Sequence, residues 1–155
     1  MNFFLSFLKK NIVKIAVVSG AFIAVILAIN IFSHSGRDKR VFMYPVSGSS
    51  KIHKEVRYLD SHPIQGKIWY YVDELILGPS FYRGRPLFTL GTRVENCFLR
   101  GHKLYVELSE TAGLQEDNSL VIEEGVRLFK KNIKKNFSEI KDVEIFIDGN
   151  FVESN

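Results

Sequence analysis

The stretch from Ile68 to Ser109 constrains the chain most, because helix, loop and hairpin signals follow one another there without a gap. Ile64, Ile68, Tyr71, Val72 and Leu75 recur at helical spacing and predict an amphipathic helix. Ser61-His62-Pro63 opens it, and Gly78-Pro79 stops it, as a glycine followed by proline does at a helix C-terminus. Tyr70 and Leu77 point away from the stripe. Pro79 to Thr92 reads as a loop dense in aromatic and basic residues. Arg93–Arg100 and Lys103–Ser109 read as strands, and Gly101-His102 fits a two-residue turn between them. That register sets Leu99 opposite Leu104, Cys97 opposite Val106 and Phe98 opposite Tyr105. The face carrying Cys97 and Leu99 is the expected core face.

The flanking segments complete a small domain. Val41–Val46 and Ile52–Leu59 read as strands joined by the turn cluster Ser47-Gly48-Ser49-Ser50, which predicts a β-hairpin. After a polar loop over Ala112–Asn118, Ser119 is placed to cap a second helix. Ile122, Val126, Phe129, Ile133 and Phe137 form its buried stripe, with Glu123 and Glu124 near its start and Lys130, Lys131, Lys134 and Lys135 near its end, an order that suits the helix dipole. Val143–Ile147 is a final strand, with a turn at Asp148-Gly149-Asn150. The expected fold class is α+β: a small ββαββαβ sandwich, helices packed on one face of a mainly antiparallel sheet, preceded by one transmembrane helix.

Ile15 to Phe32 supplies that last element, with 18 residues and no charge. As a helix this is about 27 Å, close to the hydrocarbon thickness of a bilayer. The expected organisation is a cytoplasmic tail at 1–11, a transmembrane signal anchor at 12–34, a linker at 35–40 and a domain at 41–155. The domain then lies outside the cytoplasm, on a single-pass cell-membrane protein. A cleaved signal peptide is the alternative, although Ser33-His34-Ser35 is a poor cleavage site.

Charge follows the same division. The formal net charge is +4, but six bases and one acid precede Val41, whereas 15 bases face 16 acids from Val41 onward. A nucleic-acid binder carries its basic excess in the folded domain, so nucleic acid is not an expected partner.

The order of signals across Val41–Val152 resembles the GerMN domain family of sporulation and germination proteins. The residues that carry the likeness are a strand with Tyr44, Leu75-Ile76-Leu77-Gly78-Pro79 at the helix end, Gly91-Thr92 before the third strand, and Val106-Glu107-Leu108-Ser109 after the hairpin. The long helix ending at Phe137 and Val143-Glu144-Ile145-Phe146-Ile147-Asp148-Gly149 complete it. The resemblance implies a non-enzymatic extracytoplasmic module that takes part in an envelope assembly. This chain has one copy of the pattern, no lipid-anchor cysteine, Glu107 where the family usually has Asp, and an atypical Glu124-Gly125 in the second helix.

No catalytic, metal or cofactor constellation is legible. His34, His53, His62 and His102 do not stand at zinc-motif spacing. No G-x-S-x-G elbow or phosphate-cradling loop occurs. Cys97 is the sole cysteine; placed beside Val106, it reads as a small buried hydrophobe rather than a nucleophile. The expectation is therefore no enzyme and no cofactor. The sharper candidates for partner contact are Phe81, Tyr82, Arg83 and Arg85 in the loop, because aromatics and arginines are enriched at interfaces. Leu128 is a further candidate, on the side of the second helix away from its main stripe. Against this, Phe81 and Phe88 can simply cap the core and the arginines can pair with Asp73 or Glu74. The expected function is protein–protein contact with envelope proteins or a second copy, with binding to a cell-wall polymer or glycan as the alternative.

Overall fold

The computed structural model describes residues 12, 14, 16–29, 36–114 and 120–153. The chain divides into two compact units, Met1–Arg37 and Asp38–Asn155. In the first, residues 16–29 are helical and exposed. Among the described residues no helix is long and apolar enough to cross a membrane. This corrects the expected transmembrane signal anchor at 12–34. The expected tail at 1–11 and residues 30–35 lie outside the described residues.

After the N-terminal helix the elements are β1 (Arg37–Pro45), whose first residue closes the first unit, then β2 (Ile52–Asp60), α1 (Lys67–Ile76), β3 (Val94–Arg100), β4 (Lys103–Leu108), a 3₁₀ turn (Glu110–Gly113), α2 (Ile122–Asn136), β5 (Asp142–Ile147) and β6 (Asn150–Val152) in the second. It is mixed α+β with two sheets, β1-β2 and β3-β4-β5-β6. The single, mainly antiparallel sheet expected from sequence is corrected in two respects. The sheet is split, and its central pair β4-β5 is parallel. A parallel pair needs a long crossover, and α2 is that crossover. β6, which the sequence showed only as a turn, adds an antiparallel edge to β5.

The β3-β4 register is the expected one: Leu99 faces Leu104, Phe98 faces Tyr105 and Cys97 faces Val106. Alternation along β4 and β5 buries Leu104, Val106, Leu108, Val143, Ile145 and Ile147. Val126, Phe129 and Ile133 of α2 and Tyr71, Val72 and Leu75 of α1 share that core, with Phe42 and Tyr44 from the hairpin. α1 ends where predicted, with the Leu77 N–H on the Asp73 carbonyl, but it begins at Lys67 rather than near Ser61. The Gly66 N–H closes a turn onto the Pro63 carbonyl, which leaves Ile64 in solvent instead of on the buried stripe. Val121 is the N-cap residue of α2, and Ser119 lies outside the described residues.

Side chains of α2, rather than a strand of the larger sheet, occupy the free edge of β1. Asn132 Oδ1 accepts from the Met43 N–H at 2.8 Å while its Nδ2 donates to the Met43 carbonyl at 3.0 Å. One turn later Asn136 repeats the pattern on Val41, at 2.9 and 2.7 Å. Two carboxamides one helical turn apart thus do what a neighbouring strand would do, and they satisfy buried backbone groups that would otherwise be costly.

The atypical Gly125 of α2 also has a physical reason. A Cβ built there would drive into the Leu87 carbonyl oxygen and approach the Phe88 ring at 3.5 Å. Glycine lets the loop after α1 lie directly on the helix. Gly125→Ala is therefore expected to destabilise the domain by about 1–3 kcal/mol despite alanine's better helix propensity. Chemical denaturation checks it, and a neutral or stabilising alanine would contradict the close approach.

Candidate protein-contact site

The loop between α1 and the edge strand β3 is built as a tight turn. The Gly84 N–H donates to the Phe81 carbonyl at 3.0 Å. Both sides of the turn are then fixed to the end of β1: the Ser47 N–H donates to the Arg83 carbonyl at 2.8 Å and the Arg85 N–H to the Pro45 carbonyl at 3.0 Å. Val46 and Gly84 form an antiparallel bridge. The Arg83 guanidinium adds a bond to the Ser47 carbonyl at 3.0 Å. Gly84 has no room for a side chain, since a Cβ would overlap the Pro79 ring and come within 2.9 Å of Phe81.

Tyr82 stands at the tip of this turn with a relative exposure of 102%. Arg83 beside it is exposed, and Phe81 and Arg85 are half-buried. The Phe81 ring tilts against the His53 imidazole at 4.5 Å. Phe88 is a core residue, 6.0 Å from Phe129. The loop is thus part core and part display, with Tyr82 wholly on the display side. Of the acidic residues expected to hold its arginines, Glu74 is taken by Arg57 of β2 at 3.3 Å. Asp73 is held above its ordinary value, by burial first and against hydrogen bonds from Gln65 and Trp69.

Leu128 is fully buried and is corrected as a contact residue. The buried face of α2 is wider than its main stripe because the hairpin covers its far flank, where Asn132 bonds both Met43 and the Leu128 carbonyl. Leu77 and Val121 do remain exposed.

Sequence reasoning missed the residues that hold the loop from below. Glu55 Oε1 accepts from the Ser80 hydroxyl at 2.7 Å and Oε2 from the Ser80 N–H at 3.1 Å. Glu55 is in turn paired with Arg57 at 2.6 Å. Alternating charges on a strand read as solvated, so only the half-burial of the 55 and 57 positions and their bonds to Ser80 and Gly78 reveal them. Burial pushes the Glu55 carboxyl up, but the bonds from Arg57 and Ser80 outweigh it and hold it below its ordinary value. A depressed acid contributes stability above its unfolded pKa of about 4.3, and that contribution is lost as pH falls through the folded value. Glu55→Gln is expected to flatten the acid limb of the stability–pH curve; an unchanged slope below about pH 4 would contradict this account.

The remaining chemistry is quiet. Burial, with the nearby Asp73 charge, pushes the Cys97 thiol up to about 12, so it is not a thiolate at neutral pH. Among the described residues no group of three or more His, Cys, Asp or Glu side chains is placed to hold a metal ion. Arg127, Lys131, Lys134 and Lys135 form an exposed face on α2.

Neither a family model nor a curated protein matches this chain. Solved structures do. The first GerMN domain of the sporulation protein GerM from Bacillus subtilis aligns with a TM-score of 0.56 at 14% identity, over 74% of this chain and 86% of that one. The tandem GerMN domains of the same protein align with a TM-score of 0.56 at 12% identity, over 75% of this chain and 40% of that one. A candidate lipoprotein from Clostridium perfringens aligns with a TM-score of 0.45 at 17% identity, over 77% of this chain and 80% of that one. At such identities the likeness is one of architecture, and this chain has a GerMN-like fold.

Proposed function

We propose that this protein is a non-enzymatic, extracytoplasmic module that works by protein–protein contact within a bacterial envelope assembly, of the kind that sporulation or germination requires. The GerMN-like fold supports the setting, since a protein it is similar to is a sporulation protein. The observation that carries the contact is Tyr82. A turn whose backbone is already fixed has little main-chain freedom left to lose on binding, and tyrosine at the centre of an interface is a frequent anchor. Arg83, on the same turn, supplies a directional donor beside it.

Tyr82→Ala is expected to weaken capture of the partner by about 30-fold, equivalent to about 2 kcal/mol, while leaving stability within about 0.5 kcal/mol. Gly84→Ala, which displaces the turn without touching the tyrosine, is expected to weaken it as well. Pulldown from envelope extracts with each variant checks both. Retention of the domain by purified wall polymer, lost on Tyr82→Ala, would instead make the site a glycan contact. A reporter fused after Asn155 that is active only in the cytoplasm would contradict the extracytoplasmic setting.

A further inference from the structure

We propose that β2 is a self-association edge, on which a second copy of this chain adds its own β2 in antiparallel register about Val56. β1-β2 is two-stranded, and no other described strand pairs with the outer side of β2. β2 is nine residues long, Ile52–Asp60. Its outward positions carry Ile52, Val56 and Tyr58, each between 38% and 48% exposed, with Lys54 among them. Long exposed edges template further strands, and proteins guard them with lysines and inward-pointing charges. β2 has those guards in Lys54, Glu55 and Arg57, so only a partner that matches them can pair.

Its own sequence matches them in one register. A two-fold axis through Val56 sets Glu55 opposite Arg57 of the second copy, Lys54 opposite Tyr58, His53 opposite Leu59 and Ile52 opposite Asp60. Every charge then faces an opposite charge or a neutral group, and Val56 meets itself at the centre of the outward apolar row. Moving the axis to Lys54, Glu55 or Arg57 sets that residue against its own copy, and like charges directly opposite one another destabilise a sheet. Val56 is also the midpoint of β2, so this register uses all nine residues, while any other shortens the overlap. The product is a four-stranded sheet, β1-β2-β2-β1, with the isologous symmetry of a closed dimer. This contact does not rest on the Tyr82 loop, and its test needs no other protein present.

The test uses the purified full chain in a Cys97→Ser background. Opposite residues at a two-fold have Cα atoms about 4.5–5.5 Å apart, within disulfide range. Position 54 lies about 13 Å from its own copy. Val56→Cys is therefore expected to give, on mild oxidation, at least ten times the covalent dimer that Lys54→Cys gives. In the second arm, Val56→Lys in the otherwise native chain sets two ammonium groups against each other. It is expected to raise the dimer dissociation constant in sedimentation at least tenfold, with the circular dichroism of the native fold retained. Equal cross-linking at positions 54 and 56, or a Val56→Lys chain that sediments as the native one does, would overturn the proposal.

Discussion

Asn132→Leu is expected to destabilise the domain by about 3 kcal/mol, a larger loss than any surface change here should cause. Asn132 is fully buried, and its carboxamide serves four groups. It accepts from the Met43 N–H and from the Tyr71 hydroxyl, and it donates to the Met43 and Leu128 carbonyls. Leucine fills a similar volume, so packing changes little. What is lost is the partner that Asn132 gives to the buried Met43 N–H and C=O, and each such group costs about 1–3 kcal/mol if left unpaired. Asn136 is half-buried and bonds the more exposed Val41, so Asn136→Ala should cost about 1 kcal/mol. Urea denaturation of the pair gives the contrast. Equal losses, or a loss below about 1 kcal/mol for Asn132→Leu, would mean the asparagines do not substitute for a strand.

Arg57→Met is the second large effect, expected at about 2–4 kcal/mol. α1 has no basic residue in its last turn. Arg57 supplies the missing cation from β2: Nη1 donates to the Glu74 carbonyl at 3.0 Å and Nη2 to the Gly78 carbonyl at 2.6 Å. A cation at these carbonyls complements the helix dipole. The same guanidinium pairs with Glu55 and Glu74 and lies 4.6 Å from the Phe42 ring centroid. Methionine keeps the apolar stem but leaves Glu55 half-covered without its cation. Because Glu55 also holds Ser80, the loss should reach the Tyr82 turn. Arg57→Met is therefore expected to weaken partner capture even at temperatures where the fold persists, whereas Asn132→Leu should not. Thermal melts beside pulldown separate the two.

Much of this architecture was legible in the residues. The Gly101-His102 turn fixed the β3-β4 register, because a two-residue loop leaves only one pairing. The stripe from Ile122 to Phe137 located α2, because its five apolar residues keep helical spacing. Gly78-Pro79 located the end of α1. Other features were hidden for identifiable reasons. Asn132 and Asn136 are polar residues of a helix rich in lysine, and nothing local distinguishes a carboxamide that faces a strand edge from one that faces water. They fill the β1 edge, and with the hairpin over that flank the buried face of α2 widens to take in Leu128. Ile64 kept the helical period but fell before the turn at Gly66. The apolar run before the domain matched a membrane span in hydropathy, whereas among the described residues no helix is long and apolar enough to be one. At the candidate site, composition pointed to Phe81–Arg85, but only backbone bonds to Pro45 and Ser47 separate the displayed Tyr82 from the packed Phe81.

We propose that this domain docks through the turn that displays Tyr82. A photo-reactive amino acid incorporated at position 82 in living cells tests it most directly, with position 131 on the exposed face of α2 as the control. The account predicts one discrete, protease-sensitive protein adduct from position 82, greatly reduced by Gly84→Ala and absent from position 131. No adduct at 82, the same adduct from both positions, or an adduct removed by wall-degrading enzymes alone would contradict it.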